Sequence, residues 1–269
     1  MYEEVLKYFL KNKNKIFAYT LIIIGVLGFL KTSENLNPKL QTVFSFAAAT
    51  TKKEKKLPVY DVETSEKKIA ISFDATWGAE KTSAILDILD EYGIKTTFFL
   101  CGYWIDDYPD KVKEIYARGH EIGNHSENHK NQSTLTLEKN IEEIQSVHKK
   151  IKDLIGVDMI LFRPPFGDYN NTVIEALDSL GYYGIQWSVD SHDWMNKGVD
   201  YEINQVLNHK KLRNGAIILF HNDADDTLKA LPTILKKLTT DGYKIVPVSE
   251  LIYKDDFHIN SEGTQIKNK

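Results

Sequence analysis

The chain has 269 residues, of which 42% are hydrophobic, so it can bury the core of one large α/β domain with an appendage and is too apolar to be disordered. Its 34 basic and 38 acidic residues give a net charge of −4 with no sustained basic stripe, which argues against nucleic acid as a partner. Cys101 is the only cysteine, so an intramolecular disulfide and a cysteine-rich zinc cluster are excluded.

The first element in chain order is an uncharged apolar run at residues 16–30 with lysines on both sides. As a helix it spans about 23 Å, less than the bilayer core of about 30 Å, and snorkelling lysines can close that gap. The small residues that a cleavable signal would need come only at 47–49, which favours an uncleaved transmembrane anchor. The preceding lysines predict a cytoplasmic tail at 1–15 and place the rest of this single-pass chain outside the cell membrane. A buried core helix is the alternative interpretation.

The next segment, residues 31–64, has no sustained periodicity and contains Pro38 and Pro58, so we expect an extracytoplasmic linker. One domain is predicted at 65–255. A C-terminal tail is predicted at 256–269.

Short β-rich runs alternate with helical stretches through the predicted domain. The strands are predicted at residues 68–73, 96–100, 121–124, 159–162, 183–187, 216–220 and 244–248. The helices with the clearest apolar spacing are predicted at residues 79–92, 136–155, 170–180 and 227–240. Such alternation implies parallel β/α units, and a run this long favours a closed or nearly closed barrel. An open Rossmann-like sheet is the alternative, but no G-x-G-x-x-G follows the first strand.

Polar residues come directly after several of these strands. They are Asp74, His125, Arg163, Asp190, Asp193 and His221. One such residue alone is typical of a cap or a surface group, but six at the same edge of successive strands predict a single site. His129 lies four residues after His125, a spacing that suits one metal ion when the chain turns back on itself and that also occurs in solvated surface pairs.

Five segments at these strand ends resemble the ordered motifs of the polysaccharide deacetylase family, which contains the NodB homology domain and is similar to carbohydrate esterase family 4. They are SFDATWG at 72–78, HSENH at 125–129, RPPFG at 163–167, DSHDW at 190–194 and LFH at 219–221. The resemblance covers roughly residues 68–253 and is strongest to the PdaB-type sporulation branch. It implies a distorted (β/α)7 barrel, a divalent metal and removal of acetyl groups from N-acetylated sugars.

The resemblance also implies catalytic roles for four residues. Asp74 is similar to the family's general base, and Arg163 would keep it ionised and oriented. His221 is similar to the general acid, and Asp193 would align its imidazole. A purely structural ion pair is the alternative for Arg163 and for Asp193.

Four further residues are expected to bind substrate. Trp194 and Leu219 would line a pocket for the acetyl methyl group, although Leu219 also suits plain core packing. The backbone N–H near Phe166 could face the developing oxyanion, and Tyr169 could offer its ring to a sugar, as could Trp77.

The expected metal ligands are His125 and His129, with zinc favoured over cobalt, nickel or manganese. Ala75 stands where the family usually carries a third ligand, an aspartate. Because alanine cannot coordinate, the metal would depend on the two histidines with waters or with a recruited carboxylate. The candidates for recruitment are Asp74, Glu127 and Asp190.

The sequence therefore predicts a metal-dependent N-deacetylase, a hydrolase of carbon–nitrogen bonds acting on peptidoglycan or a related cell-wall glycan, and the PdaB-type resemblance implies a role in sporulation. One alternative is a non-catalytic glycan-binding or structural wall protein with a degenerate metal site. Another is an amidase acting on a non-glycan substrate.

Overall fold

The computed structural model of this chain describes residues 54–268. The predicted cytoplasmic tail at 1–15, the membrane anchor at 16–30 and most of the predicted linker lie outside this part of the chain. Among the described residues, no helix combines the length and apolarity needed to cross a bilayer.

Eleven strands are found in the described residues. They are β1 Asp61–Val62, β2 Lys68–Ala75, β3 Thr97–Leu100, β4 Glu121–Asn124, β5 Leu161–Phe162, β6 Tyr183–Gly184, β7 Val189–Asp190, β8 Ile217–His221, β9 Lys244–Val246, β10 Phe257–Ile259 and β11 Thr264–Lys267. The seven predicted strands all have a counterpart among them, but β5 and β6 are shorter than predicted.

The main sheet has the order β6-β5-β4-β3-β2-β8-β7, and β9 pairs with the first half of β2. All of these pairings are parallel. The prediction of parallel β/α units is confirmed, whereas the barrel is a half-barrel, since the path ends at β6 and β7. Among the described residues, no pairing joins these two edge strands.

Eight α-helices surround the sheet within residues 54–268. They are α1 Thr82–Glu91, α2 Gly102–Asp107, α3 Pro109–Ala117, α4 Leu137–Ile155, α5 Asn171–Leu180, α6 Val199–Leu207, α7 Thr227–Thr240 and α8 Val248–Leu251. The longest, α4, begins where the Thr136 side chain accepts a hydrogen bond from the Lys139 N–H and ends at Gly156, whose φ of 75° suits a left-handed cap.

The core lies on both faces of β2. Ile69, Ile71 and Phe73 belong to a large apolar cluster shared with the helices, while Ala70 belongs to a second cluster on the opposite face. This alternation follows from the two-residue period of a strand. Because the strand is buried on both faces, its apolar run is nearly continuous, as in other parallel sheets.

The C-terminal segment differs from the expected tail. Strands β10 and β11 form an antiparallel hairpin, and β11 pairs with β1, which lies inside the predicted linker. The side chain of Gln265 is fully buried and bonds to both backbone polar groups of Tyr253. A buried glutamine breaks the apolar alternation by which a strand is recognised in sequence.

Candidate functional site

A cavity of about 730 Å³ opens at the carboxyl ends of the central parallel strands. Asp74 is paired in register with His221 across β2 and β8, and both side chains line the cavity. His125 follows the last residue of β4 and lines it as well. The structure thus brings together residues that are far apart in sequence, as the strand-end pattern predicted.

Asp74 forms a buried ion pair with Arg163. The Arg163 Nη1 donates to Asp74 Oδ1 at 2.7 Å, and Nη2 donates to the Gln186 carbonyl at 3.2 Å. The guanidinium also lies over the ring of Phe99, 4.2 Å from its centroid. Burial opposes ionisation of Asp74. The charge of Arg163 outweighs this effect, with smaller contributions from His125 and His221, so the pKa of Asp74 lies below its usual value. Asp74 is therefore a carboxylate at neutral pH.

His221 forms the second charged pair, with Asp193. The imidazole Nδ1 lies 2.7 Å from Asp193 Oδ1, and the backbone N–H of His221 donates to Oδ2 at 2.6 Å. Burial lowers the pKa of His221, but the hydrogen bond and the charge of Asp193 act in the opposite direction. Together with the more distant Asp74 and Asp190 they raise this pKa to about 9. The ring is an imidazolium at neutral pH, and Nδ1 is its donor to Asp193.

His125 and His129 are neutral. His125 Nδ1 lies 2.8 Å from the carbonyl of Arg163, so this nitrogen carries the proton and Nε2 keeps its lone pair. Nε2 faces Asp74 Oδ2 at 3.6 Å. The two imidazole centroids are 5.0 Å apart. Burial lowers the pKa of both rings, that of His129 to about 3.

Sequence comparison identifies the family of this chain. The polysaccharide deacetylase profile matches residues 61–185. A peptidoglycan-N-acetylglucosamine deacetylase of Bacillus cereus is 37% identical over 198 residues, covering 72% of this chain and 92% of that protein. This chain belongs to the polysaccharide deacetylase family. The peptidoglycan-N-acetylmuramic acid deacetylase PdaA of Bacillus subtilis is 31% identical over 202 residues, covering 74% of this chain and 76% of that one.

Solved structures show the same fold in the family. A wild-type carbohydrate esterase family 4 pseudoenzyme from Bacillus anthracis superposes with a TM-score of 0.69 and 29% identity, covering 79% of this chain and 73% of that chain. The family of this chain thus contains peptidoglycan deacetylases, which hydrolyse carbon–nitrogen bonds, and a pseudoenzyme.

The polysaccharide deacetylases are generally metal-dependent, but the donors found here do not fit a three-ligand catalytic metal site. No group of three or more metal-ligating side chains occurs in the described part of the chain. Ala75 is wholly buried at the end of β2 and brings no donor atom. The lone pair of His125 Nε2 would suit a metal, yet with His129 it makes only a two-imidazole set.

Of the three carboxylates considered for recruitment, Asp74 is paired with Arg163, and Glu127 and Asp190 are held by other partners. Glu127 pairs with Lys150 and accepts a hydrogen bond from Ser146 Oγ at 2.8 Å, away from the cavity. Asp190 lines the cavity but accepts from the Trp187 indole at 3.2 Å and from the His192 N–H at 2.8 Å. Both are thus fixed as structural acceptors.

The walls of the cavity include three of the four residues expected to bind substrate. Trp194, Phe166 and Leu219 line it, the first two with their rings 56% and 65% exposed. Tyr169 does not line it, because its hydroxyl accepts a hydrogen bond from the Tyr60 hydroxyl at 3.1 Å instead. A half-buried tyrosine pair of this kind has no signature in the sequence.

Sequence reasoning missed two features of the site. Asp223 lines the cavity beyond β8, and burial raises its pKa. The backbone is left-handed at several non-glycine residues around the cavity, among them His129 (φ 48°), Phe166 (φ 59°) and His192 (φ 53°). Such conformations cluster at functional sites, but they arise from loop packing and cannot be read from residue type.

Proposed function

We propose that this chain removes acetyl groups from N-acetylated sugars of peptidoglycan or a related cell-wall glycan. The observation that carries the proposal is the presence of opposite charges in one cavity, a carboxylate at Asp74 and an imidazolium at His221. Amide hydrolysis needs a base for the attacking water and an acid for the departing amine. Two groups with pKa values shifted apart by their surroundings provide that pair.

Asp74 is the base in this reaction. Its Oδ1 is occupied by Arg163, so Oδ2 is the oxygen that accepts a proton from the attacking water. The Arg163 charge keeps the carboxylate ionised and the fixed guanidinium keeps it in place. The water oxygen then forms the new bond to the acetyl carbon.

His221 is the acid. Its Nδ1 proton is bonded to Asp193, which leaves the Nε2 proton for the amide nitrogen of the sugar as the carbon–nitrogen bond breaks. The products are acetate and a free amino sugar. Asp193 acts as the positioning residue, because its carboxylate fixes the ring and stabilises the imidazolium.

The cavity walls provide the remaining contacts of the proposal. Trp194 and Leu219 bound the space for the acetyl methyl group, and the backbone N–H of Phe166 is the proposed donor to the oxyanion. We assign no step to a metal ion, since His125 and His129 alone do not complete a catalytic site. The proposed location is outside the cell membrane, with residues 16–30 as anchor, and the PdaB-type resemblance is the basis for a role in sporulation.

The test is acetate release from N-acetylated peptidoglycan and from chitin oligosaccharides by the full-length chain. Parallel reactions contain a chelator, added zinc or added cobalt. We expect D74N and H221N to lower the rate by at least about 100-fold, the usual contribution of general acid–base groups. Full activity of both variants, with the fold intact by circular dichroism, would disprove the mechanism.

A second function, non-catalytic glycan binding, is favoured by two observations. No group of three metal-ligating side chains occurs among the described residues, and a structural relative is a pseudoenzyme. Trp77, Phe166 and Trp194 line the cavity with more than half of each side chain exposed. Exposed aromatic faces around a cleft suit the apolar faces of sugar rings.

Binding without turnover would identify this second function. We would measure chitotetraose binding by calorimetry with chelator present, for the wild type and for W77A. Y116A is the matched control, since Tyr116 is an exposed aromatic residue, 47% accessible, outside the cavity lining. Affinity that falls at least about fivefold in W77A alone, with no acetate release under any metal, would replace the deacetylase proposal.

A further inference from the structure

Glu202, in the first turn of α6, is an unusual buried acid. Its side chain is 1% exposed, and neither carboxyl oxygen has a hydrogen-bond partner of ordinary geometry among the described residues. A buried, unpaired carboxylate is costly, so a carboxyl in such a place keeps its proton. None of the proposed catalytic steps uses this residue.

The groups around Glu202 lead directly to His221. Its neighbours include Asp193, in the turn after β7, and Asp226 and Thr227, at the start of α7. Burial raises the pKa of Glu202 to about 8, the charges of Asp193 and Asp226 add to this, and the Thr227 side chain opposes it. Both charged neighbours are carboxylates, so an ionised Glu202 would be repelled by both.

Thr227 is near both acids, since it contacts Asp193 and is among the groups that shift the pKa of Glu202. Its buried hydroxyl donates to Asp193 Oδ2 at 3.3 Å. The same Asp193 carboxylate accepts from Trp194 N and from the backbone N–H and the Nδ1–H of His221, so all of its contacts here come from donors. A hydroxyl has one proton to give and two lone pairs, so the Thr227 oxygen remains free to accept. A protonated Glu202 can donate a hydrogen bond to the Thr227 oxygen, whereas an ionised carboxylate has no proton to donate.

We propose that Glu202, in its protonated form, is a positioning residue for the Asp193–His221 pair and acts through the hydroxyl of Thr227. The donor direction then runs from Glu202 to Thr227 to Asp193, and His221 donates to Asp193 from the other side. The neutral acid also leaves Asp193 as the anion that contacts the imidazolium. The importance of this arrangement for proton transfer rests on the function proposed above, but the arrangement itself does not.

The first measurement is solvent exchange of the His221 Nδ1 proton by NMR, on the full-length, histidine-labelled chain between pH 6 and pH 9. E202Q keeps a neutral donor, E202L keeps similar bulk without one, and T227V removes the hydroxyl. We expect E202Q to match the wild type at pH 6 to 7. We expect exchange about tenfold faster in E202L and T227V, the effect of losing one buried hydrogen bond.

The pH dependence separates positioning from simple packing. Exchange in the wild type should rise further as the pH passes about 8, where Glu202 loses its proton, and E202Q should lack this step. The infrared carbonyl band of a protonated carboxyl at pH 6 should be present in the wild type and absent from E202Q. This comparison holds even if E202L does not fold.

Any of three results would overturn the proposal. The His221 Nδ1 proton could exchange at the same rate in T227V as in the wild type, E202Q could show the same rise in exchange near pH 8, or E202Q could keep the carboxylic acid band of the wild type. None of these readouts needs a substrate. A chain that releases no acetate but shows the expected coupling would refute the deacetylase function and leave the role of Glu202 standing.

Discussion

At the scale of single residues, two ion pairs determine the charges of the proposed base and acid, Asp74 and His221. Each pair places one member on a strand and the other in a loop that follows a different strand, Asp74 with Arg163 and His221 with Asp193. In both, burial alone would remove the charge, and the partner restores it. The cavity therefore holds a carboxylate and an imidazolium while its other two histidines are neutral.

The free energy of unfolding should depend on pH because of the His221–Asp193 pair. The pKa of His221 is raised from 6.5 to about 9 in the folded protein, so its stabilising contribution is fully present below pH 6.5 and is lost as the pH rises through 9. Relative to H221N, the wild type should lose up to about 3 kcal/mol of unfolding free energy over this interval.

Urea unfolding of the wild type and H221N at half-unit steps of pH measures this difference. Taking the difference cancels the titration of groups that do not interact with the pair. A constant gap between the two curves from pH 6 to pH 9.5 would contradict the raised pKa.

The Asp74–Arg163 pair should show strong coupling in a double-mutant cycle. R163M leaves a buried carboxylate without its cation, and D74N leaves a buried guanidinium without its anion, so each should cost about 3–5 kcal/mol of unfolding free energy. The double variant D74N/R163M should cost much less than the sum. Additive losses in urea unfolding at pH 7 would mean that the pair contributes no interaction of its own.

At the scale of elements, the C-terminal hairpin closes the domain in a way that does not involve the cavity. Strand β11 of the hairpin pairs with β1, which precedes the main sheet in the chain. Glu63 N donates to the Gln265 carbonyl at 2.9 Å, and the Gln265 side chain bonds to Tyr253 at 2.7 and 2.8 Å. The hairpin is thus attached to both ends of the domain.

Q265A should destabilise the chain by about 1–3 kcal/mol, because it leaves two backbone groups of Tyr253 without partners in a partly buried position. K267A is the control on the same strand, since Lys267 is exposed and should change the unfolding free energy by less than about 0.5 kcal/mol. Chemical denaturation gives both values. Equal effects of the two substitutions would show that the buried amide does not hold the hairpin.

At the scale of the whole molecule, the missing third donor should limit metal binding. Two imidazoles bind zinc more weakly than three ligands, so A75D, which adds a carboxylate at the end of β2, should tighten zinc binding by more than about tenfold. Equilibrium dialysis with the full-length chain measures this directly. A75G is the matched control, and H129A in the A75D background should abolish the gain.

A zinc affinity of A75D equal to that of the wild type would show that a carboxylate at position 75 does not reach the ion. Without zinc, A75D should be less stable than the wild type, because it buries a carboxylate where an apolar methyl group lies now. Zinc should restore part of that stability through linkage.

The sequence alone determined the alternation of strands and helices, the burial of the central strands, and the edge at which Asp74, His125 and His221 would meet. These follow from local rules, because apolar periodicity reports burial and parallel strands bring their carboxyl ends to one edge. Only the tertiary structure decided four other features. They are the end of the sheet at β6 and β7, the hairpin in the predicted tail, the position of Tyr169 and the burial of Glu202 near Asp193. Each of these depends on contacts between segments distant in sequence, and a polar residue buried by such contacts looks like a surface residue when the chain is read one window at a time.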